Sequence, residues 1–227
     1  MKPVLIFEHI ETSNAGLFEV FLKKNTIPYL VLRPNKGDAV PACDRISDNS
    51  GLCFLGGTES VTEPTEQMLR EMDLIRAASA EDTPVIGHCL GGQLISKALG
   101  GEVTKHHLNE FGWSQLYSEE NAISREWIPE MATGLHAMQW NSDTFSTPQG
   151  ATKILSGDYC SEQAFVYENM LAMQFHIEIE LDMIEHWSID LYEKHPVASN
   201  SVQSGEQIMN LRECNFQISR RLANHLY

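Results

Sequence analysis

Long apolar segments are absent from this chain of 227 residues. None of its apolar runs approaches the roughly 18 uncharged residues that a membrane-spanning helix requires. The first eight residues contain one short apolar run that an acid interrupts, and they lack the hydrophobic length and the cleavage site of a signal peptide. We therefore expect a cytoplasmic protein with no membrane partner, and we interpret the first apolar run as a strand.

Cysteine is scarce and irregularly placed. An odd number of cysteines at irregular spacing favours neither a disulfide framework nor a paired metal motif. The five cysteines are Cys43, Cys53, Cys89, Cys160 and Cys214. Metal-ligand spacing is also missing among the histidines His106, His107, His136, His186 and His195. We expect no metal site and no other cofactor.

Basic residues are in deficit, with 16 Lys and Arg against 31 Asp and Glu, for a formal net charge of −15. Such a charge repels the phosphate backbone of nucleic acids and anionic membrane surfaces. The acidic residues are scattered along the chain, which is typical of a solvated surface. A nucleic-acid partner is therefore not expected.

The distribution of apolar residues predicts one α/β domain over residues 1–227. A hydrophobic content of 42% in a chain of this length supplies one sizeable core. In the first half, strand-length apolar runs at 4–7, 29–32, 52–55 and 85–88 alternate with helical patterns that begin near Asn14, Thr65 and Gly92. This alternation is typical of parallel βαβ units.

The second half changes to short strands and turns, which predicts antiparallel additions to the sheet. The predicted strands lie around Val103 and at 113–117, 134–140, 153–155, 164–167 and 171–175. Helices are predicted at 180–192 and 205–226, with a polar loop between them.

Cys89 follows a predicted buried strand, is flanked by Gly87 and Gly91, and precedes a predicted helix. A sharp strand-to-helix turn strains the backbone at its central residue and requires small residues two positions before and after it. The amino terminus of the helix then faces the thiol and favours the thiolate. The pattern predicts a nucleophile at Cys89, whereas a buried structural cysteine is the alternative for an isolated thiol.

Two further predicted strands end in residues that suit this chemistry. The strand at 171–175 precedes His176 and Glu178, whose spacing of two in extended chain places both side chains on one side. Glu178 can then orient His176 as the base for the thiol. The strand at 52–55 leads into Gly57, whose amide and that of Leu90 are the predicted donors to an oxyanion.

The residues that carry these predictions resemble the class I, or triad, glutamine amidotransferases. The resemblance rests on residues 87–93 (Gly-His-Cys-Leu-Gly-Gly-Gln) and 174–178 (Gln-Phe-His-Ile-Glu). Residues 55–60 (Leu-Gly-Gly-Thr-Glu-Ser) are similar to the oxyanion strand of that family. Residues 111–113 (Phe-Gly-Trp) and 140–145 (Trp-Asn-Ser-Asp-Thr-Phe) are similar to its free-standing, GMP-synthetase-like branch.

The resemblance implies a flavodoxin-like open mixed sheet, mostly parallel, with helices on both faces. It implies that Cys89 attacks the side-chain amide of glutamine or of a related γ-glutamyl molecule and forms a thioester, with His176 transferring protons and Glu178 orienting it. It also implies that the amides of Gly57 and Leu90 hold the oxyanion. The residues implied in substrate binding are Gln93, Gly56 and Asn141.

Departures from the family pattern leave the substrate open. Asn141 and Ser142 replace the histidine and glycine of the usual Trp-His-Gly-Asp segment, and Ile177 stands where many members have proline. Nothing in the sequence resembles an ATP-pyrophosphatase or other synthetase domain, so any ammonia acceptor must be a separate protein or be absent.

Several functions share these residues. A glutamine-hydrolysing amidotransferase is the leading hypothesis, and a γ-glutamyl peptidase uses the same thioester. A non-catalytic subunit that binds a partner belongs to a different class, and so does a redox or stress protein with a reactive elbow cysteine. The last ranks lowest, because such proteins rely on a nearby acid instead of a His-Glu pair after a late strand.

Overall fold

A computed structural model describes residues 1–11, 13–128, 134–194 and 199–227, including their side chains except those of 190–194. In this part of the chain, nine strands form a single mixed sheet. The strands are Val4–Phe7 (β1), Tyr29–Leu32 (β2), Gly51–Phe54 (β3), Val85–His88 (β4), Val103–Ser118 (β5), Leu135–Phe145 (β6), Thr152–Gly157 (β7), Ala164–Tyr167 (β8) and Met170–Met173 (β9).

The strand order is β2-β1-β3-β4-β9-β8-β7-β5-β6. The first five positions pair in parallel and the remaining ones in antiparallel fashion. The parallel part has the 2-1-3-4 order of flavodoxin-like sheets, with β9 as the fifth strand. The predicted open mixed α/β sheet is confirmed, and the carboxyl ends of β3, β4 and β9 meet at one edge.

The α-helices of the described residues are Gly16–Lys24 (α1), Glu66–Ala80 (α2), Leu90–Ala98 (α3), Ala122–Trp127 (α4), Leu181–Lys194 (α5) and Gly205–Leu226 (α6). Helix α1 covers one face of the parallel part, and α2 and α3 cover the other. Phe7 and Phe54 stack on the face that α2 and α3 bury, whereas Ile6 packs with Phe18 of α1 on the other face. Successive side chains of a strand point to opposite faces of the sheet, so neighbouring strand residues contribute to different halves of the core. None of the described helices has both the length and the apolar character needed to cross a membrane.

Two strands are longer than expected. The segments predicted around Val103 and at 113–117 belong to one strand of sixteen residues, β5, which has an irregularity between Lys105 and Glu110. Its partner β6 continues to Phe145, beyond the predicted end at 140. The two strands pair from Val103 with Phe145 to Leu116 with Leu135, and this long-range pairing extends strand through polar, exposed positions that lack a local strand signal.

Helix ends also differ from expectation. The residue that precedes α1 as its cap is Ala15, and the Asn14 side chain instead accepts a hydrogen bond from the amide of Gly16 at 2.8 Å. Helix α4 was not predicted, because its six residues are too few for a clear apolar period. It begins where the Asn121 side chain accepts a hydrogen bond from the amide of Ser124.

The turn between β4 and α3 depends on close backbone contact. A Cβ atom added to Gly91 would lie 2.0 Å from the carbonyl oxygen of Phe54, and one added to Gly87 would lie 2.5 Å from the carbonyl carbon of Gly91. Side chains at either position would push α3 away from β3 and β4. The small residues predicted on both sides of Cys89 are thus required by packing.

Replacing Gly91 with alanine is expected to lower the free energy of unfolding by about 2 to 3 kcal/mol, because the added methyl group overlaps backbone that cannot move aside. Urea unfolding of the purified variant measures this loss. Gly100→Ala is the control: Gly100 has a φ of +89° and open space around its Cα, so only a conformational cost of about 1 kcal/mol applies. Equal losses in the two variants would contradict the packing argument.

Candidate active site

Cys89 occupies the turn in a strained conformation. Its φ of 51° and ψ of −106° lie outside the regions that side-chain-bearing residues prefer. Its amide donates a hydrogen bond to the carbonyl oxygen of Met173 in β9 at 2.9 Å, and Leu90 begins α3 directly after it. The turn presents the thiol at the carboxyl edge of the sheet, and strain of this kind is concentrated at functional sites.

His176 and Glu178 lie beside the thiol. His176 Nδ1 is 2.5 Å from Oε1 of Glu178, so Nε2 is the ring nitrogen left for the sulfur of Cys89, whose side chain lies with the ring beside Gly56. The amide of His176 donates to the carbonyl oxygen of Met138 at 2.8 Å, which fixes this segment against β6. The structure thus brings the three predicted catalytic side chains together in the order thiol, imidazole, carboxylate.

Trp187 supports the imidazole from α5. Its ring packs edge-on against that of His176, with ring centroids 4.9 Å apart, and also contacts Trp140 at 5.3 Å. The carbonyl oxygen of Trp140 accepts from the Cys89 thiol at 3.6 Å. Aromatic packing therefore limits the rotation of His176, a role for Trp187 that its sequence position did not indicate.

His88 is a further residue that the sequence analysis missed. Oε2 of Glu178 lies 3.0 Å from Nδ1 of His88, and both side chains are fully buried. On the far side of the ring, the Tyr227 hydroxyl lies 3.5 Å from Nε2. The alternation of β4 could have indicated that His88 points to the opposite face from Gly87, but only the tertiary structure shows Glu178 there.

The buried charges shift proton affinities within the triad. Burial disfavours a charged ring at His176, but the Glu178 carboxylate and the Cys89 side chain outweigh it and raise its pKa to about 10. Burial likewise opposes ionisation of Glu178, but His176 and His88 hold its pKa well below the ordinary value of 4.5. The pair is therefore an imidazolium beside a carboxylate at neutral pH.

The two residues whose amides are the predicted oxyanion donors, Gly57 and Leu90, pack directly against each other. A Cβ added to Gly57 would lie 2.5 Å from a methyl carbon of Leu90. Within the described residues, neither amide donates to a backbone or side-chain acceptor. Both N–H groups are therefore available to a ligand, which is what an oxyanion site needs.

A buried pair supports the strand end that precedes Gly56 and Gly57. His9 places Nδ1 3.0 Å from the carbonyl oxygen of Leu55 and Nε2 3.0 Å from Oε2 of Glu71. Both His9 and Glu71 are almost completely buried. A lone histidine after a first strand carries no clear sequence signal, so this support was also not predicted.

A charged cavity of about 200 Å³ opens on one side of Cys89. Asp143 lies on its wall, where Lys105 Nζ approaches one carboxylate oxygen at 2.7 Å and the Ser60 hydroxyl donates to the other at 2.5 Å. The predicted binding residues Gln93 and Asn141 line the same cavity. Both side-chain amides are buried, and Oδ1 of Asn141 has no hydrogen-bond partner within the described residues.

An apolar cavity of about 350 Å³ opens on the other side of Cys89, toward α5. His176, Trp140 and Trp187 line it, as does Gly56. A Cβ added to Gly56 would lie 2.7 Å from Cε1 of His176, so a larger residue would displace the imidazole. Gly56 is thus placed beside the triad, on the side of this second cavity.

Metal ligands are not clustered in the described residues: no group of three or more His, Cys, Asp or Glu side chains there could hold an ion. Among the histidines considered from the sequence, His195 lies outside the described residues. His106 and His107 contact each other on the long strand β5.

Fold and site together describe an α/β protein that presents a cysteine on a strand-to-helix elbow, with an imidazole and a carboxylate at the same sheet edge. A family model described as glutamine amidotransferase class-I matches residues 21–186. The chain belongs to the class I glutamine amidotransferase family.

Individual relatives agree with this membership. A glutamine-hydrolysing GMP synthase subunit from Sulfurisphaera tokodaii is 31% identical over 141 residues, which cover 60% of this chain and 70% of that protein. The GMP synthase of Paraburkholderia phymatum is 30% identical over 141 residues, but these span only 25% of its length and 57% of this chain. A solved structure, the glutamine amidotransferase from Methylobacillus flagellatus, is 36% identical with a TM-score of 0.94, covering 100% of this chain and 93% of that one.

Because the backbone is strained at Cys89, we predict that glycine is more stabilising than alanine there, the reverse of the usual order within a helix. Cys89→Gly is expected to be more stable than Cys89→Ala by about 1 kcal/mol, because only glycine adopts a positive φ without cost. Chemical denaturation measures the difference. At Lys97 in the same helix the order reverses, with Lys97→Gly less stable than Lys97→Ala by about 1 kcal/mol. The same order at both positions would show that Cys89 carries no strain.

The ion pair of His176 and Glu178 predicts a pH-dependent loss of stability in Glu178→Gln. The raised pKa of His176 stabilises the folded state in full below pH 6.5, the pKa of this histidine in the unfolded chain. This contribution decreases as the pH rises from 6.5 through about 10, the pKa in the folded state. The lowered pKa of Glu178 contributes above its ordinary value of 4.5. The variant should therefore lose about 3 kcal/mol near pH 6 and progressively less toward pH 10. Urea unfolding across this range tests the trend, and a pH-independent loss would contradict it.

Proposed function

We propose that the protein hydrolyses the side-chain amide of glutamine to glutamate and ammonia, through a γ-glutamyl thioester on Cys89. The observation that carries the proposal is the placement of Cys89 on a strained elbow against the His176 ring, with the opposite ring nitrogen 2.5 Å from Glu178. A thiol, a base and an orienting acid in this order form the general arrangement for nucleophilic acyl transfer.

In the first step, the Cys89 sulfur attacks the amide carbon of glutamine and forms a C–S bond. The amide oxygen gains negative charge, which the unpartnered amides of Gly57 and Leu90 stabilise. The C–N bond then breaks as the nitrogen takes a proton from the His176 imidazolium and leaves as ammonia. Glu178 holds Nδ1 throughout, so that the other ring nitrogen keeps facing the reacting atoms.

In the second step, water hydrolyses the thioester. His176 has given its proton to the leaving nitrogen and is neutral in the acyl-enzyme. The neutral ring takes a proton from water as the water attacks the thioester carbon. Glutamate leaves and the thiol is restored. The triad thus switches from acid to base without a change in geometry.

Glutamine recognition falls to the charged cavity. The α-carboxylate and α-ammonium groups of glutamine require partners of opposite charge, and Lys105 and Asp143 lie there 2.7 Å apart. The unpartnered Oδ1 of Asn141 offers an additional acceptor for the ammonium group, and Gln93 borders the same space. This arrangement suits a free γ-glutamyl group with both α-substituents charged.

The ammonia acceptor is proposed to be a separate synthetase chain. The Sulfurisphaera relative is itself named as one subunit of a synthase, and the Paraburkholderia relative is about four times as long as the part that matches. Pulling down partners from the native extract with tagged protein tests this assembly. Recovery of a synthetase chain in a fixed ratio supports it, and recovery of the protein alone contradicts it.

Substitution of Cys89 by serine or alanine is expected to reduce glutamate formation at least ~1,000-fold with the fold intact, because the thioester can no longer form. A glutamate dehydrogenase-coupled assay measures turnover, and circular dichroism checks the fold. Glutaminase activity retained in Cys89→Ala would overturn the mechanism.

Active-site labelling separates an enzyme from a non-catalytic, partner-binding protein. The reagent is a glutamine-mimicking diazoketone, which should modify Cys89 in the wild-type protein and do so far more slowly in His176→Ala, as read by peptide mass spectrometry. Modification that is absent from Cys89, or equally fast in both proteins, would favour a partner-binding module.

A further inference from the structure

Cys89 lies between two cavities of different chemistry. Cys89 lines both the charged cavity and the apolar cavity, whereas His176 lines only the apolar one. In the proposed mechanism His176 protonates the leaving nitrogen, and a general acid must lie within hydrogen-bond reach of the atom it protonates. The leaving group is therefore on the apolar side, and the glutamyl group lies with Lys105 and Asp143.

The apolar cavity is far larger than ammonia requires. A molecule of the size of water, such as ammonia, occupies about 30 Å³ in a liquid. The cavity measures about 350 Å³. If glutamine were the substrate for which this cavity is shaped, most of the space beside the leaving nitrogen would have no use. A substituent on that nitrogen would fill it.

The walls of the apolar cavity indicate the chemistry of the substituent. Trp140, Trp187 and Ile10 present aromatic and branched apolar surface. No Lys, Arg, Asp or Glu lines the described wall, and its titratable side chains besides Cys89 are His176 and His186. Apolar walls favour an uncharged substituent, because a carboxylate placed there would lose hydration without a Lys or Arg to pair with, and the His176 imidazolium is already paired with Glu178.

One polar group in this wall lacks a partner. Ser13 is 2% exposed, and its hydroxyl oxygen makes no hydrogen bond within the described residues. A buried hydroxyl without a partner is costly unless a ligand satisfies it. Ser13 lines the cavity together with Ile10, so a bound molecule can supply the missing contact.

We propose that the apolar cavity is a leaving-group site for secondary γ-glutamyl amides whose amine carries an uncharged aromatic or branched apolar group. The proposal rests on the proposed thioester mechanism. The sulfur of Cys89 forms the C–S bond, the C–N bond breaks, and the amine leaves with the proton of His176. Water then hydrolyses the thioester to glutamate and the free thiol, so no further reactant is needed.

A panel of four substrates tests the proposal on the wild-type protein. The probes are L-glutamine, γ-L-glutamylmethylamide, γ-L-glutamylbenzylamide and γ-L-glutamyl-L-phenylalanine. Benzylamine and ammonia are similar in basicity, so a difference between the first and third probes reports binding of the ring. We expect kcat/KM for the benzylamide to exceed that for glutamine and for the phenylalanine peptide at least tenfold, with the methylamide between glutamine and the benzylamide.

A matched pair of variants localises the effect. Ile10→Trp fills the apolar cavity and should reduce the ratio of kcat/KM for the benzylamide over glutamine at least fivefold. Leu69→Trp adds the same bulk on the exposed side of α2 and should leave the ratio unchanged. Thermal unfolding of both variants shows whether Ile10→Trp is folded, and the wild-type panel decides the proposal even if it is not.

The possible outcomes distinguish a failure of the leaving-group site from a failure of the thioester mechanism on which it rests. Slower turnover of the benzylamide than of glutamine would overturn the leaving-group site while leaving the glutaminase mechanism intact. Faster turnover of the phenylalanine peptide than of the benzylamide would overturn the preference for an uncharged group. If no probe acylates Cys89, as read by mass spectrometry, the thioester mechanism itself fails.

Discussion

The fold and the site both depend on the pairing of the buried Glu178 carboxylate with two histidines. A charge without solvent must be paired, and Glu178 places one oxygen against His176 and the other against His88. Its backbone carbonyl oxygen accepts from the amide of Leu17 at 2.7 Å at the start of α1. One residue therefore joins the ends of β4 and β9 to the first helix, and the position of the imidazole follows from it.

The elbow supplies the second constraint, which is steric. Gly91 lies directly against the carbonyl oxygen of Phe54, so α3 begins as close to β3 as backbone can approach. This contact aims the amino terminus of the helix at the thiol and leaves Cys89 with a positive φ. Backbone thus packs tightly on one side of Cys89, and cavities open on its other sides. A rigid site that binds a ligand needs both features.

The two cavities make the two sides of Cys89 chemically different. Under the proposed mechanism, the paired charges of Lys105 and Asp143 receive the zwitterionic part of a γ-glutamyl group, and His176 acts from the cavity on the opposite side of Cys89. The family model matches residues 21–186, which include Cys89, His176 and Glu178, whereas Ile10, Ser13 and Trp187 of the apolar cavity lie outside that range. Under our proposal, substrate preference therefore depends in part on residues that the family model does not match.

The sequence alone determined the α/β class, most of the helices and strands, and the candidates Cys89, His176 and Glu178, because elbow glycines, apolar periods and a spacing of two act locally. It did not reveal the continuous strand β5, whose exposed polar stretch becomes strand only by pairing with β6. Nor did it reveal His88 beneath Glu178, His9 beside Leu55, or the cavity between Ile10 and Trp187. These contacts join residues far apart in the chain, and no local pattern encodes a distance that only the packing of sheet and helices sets.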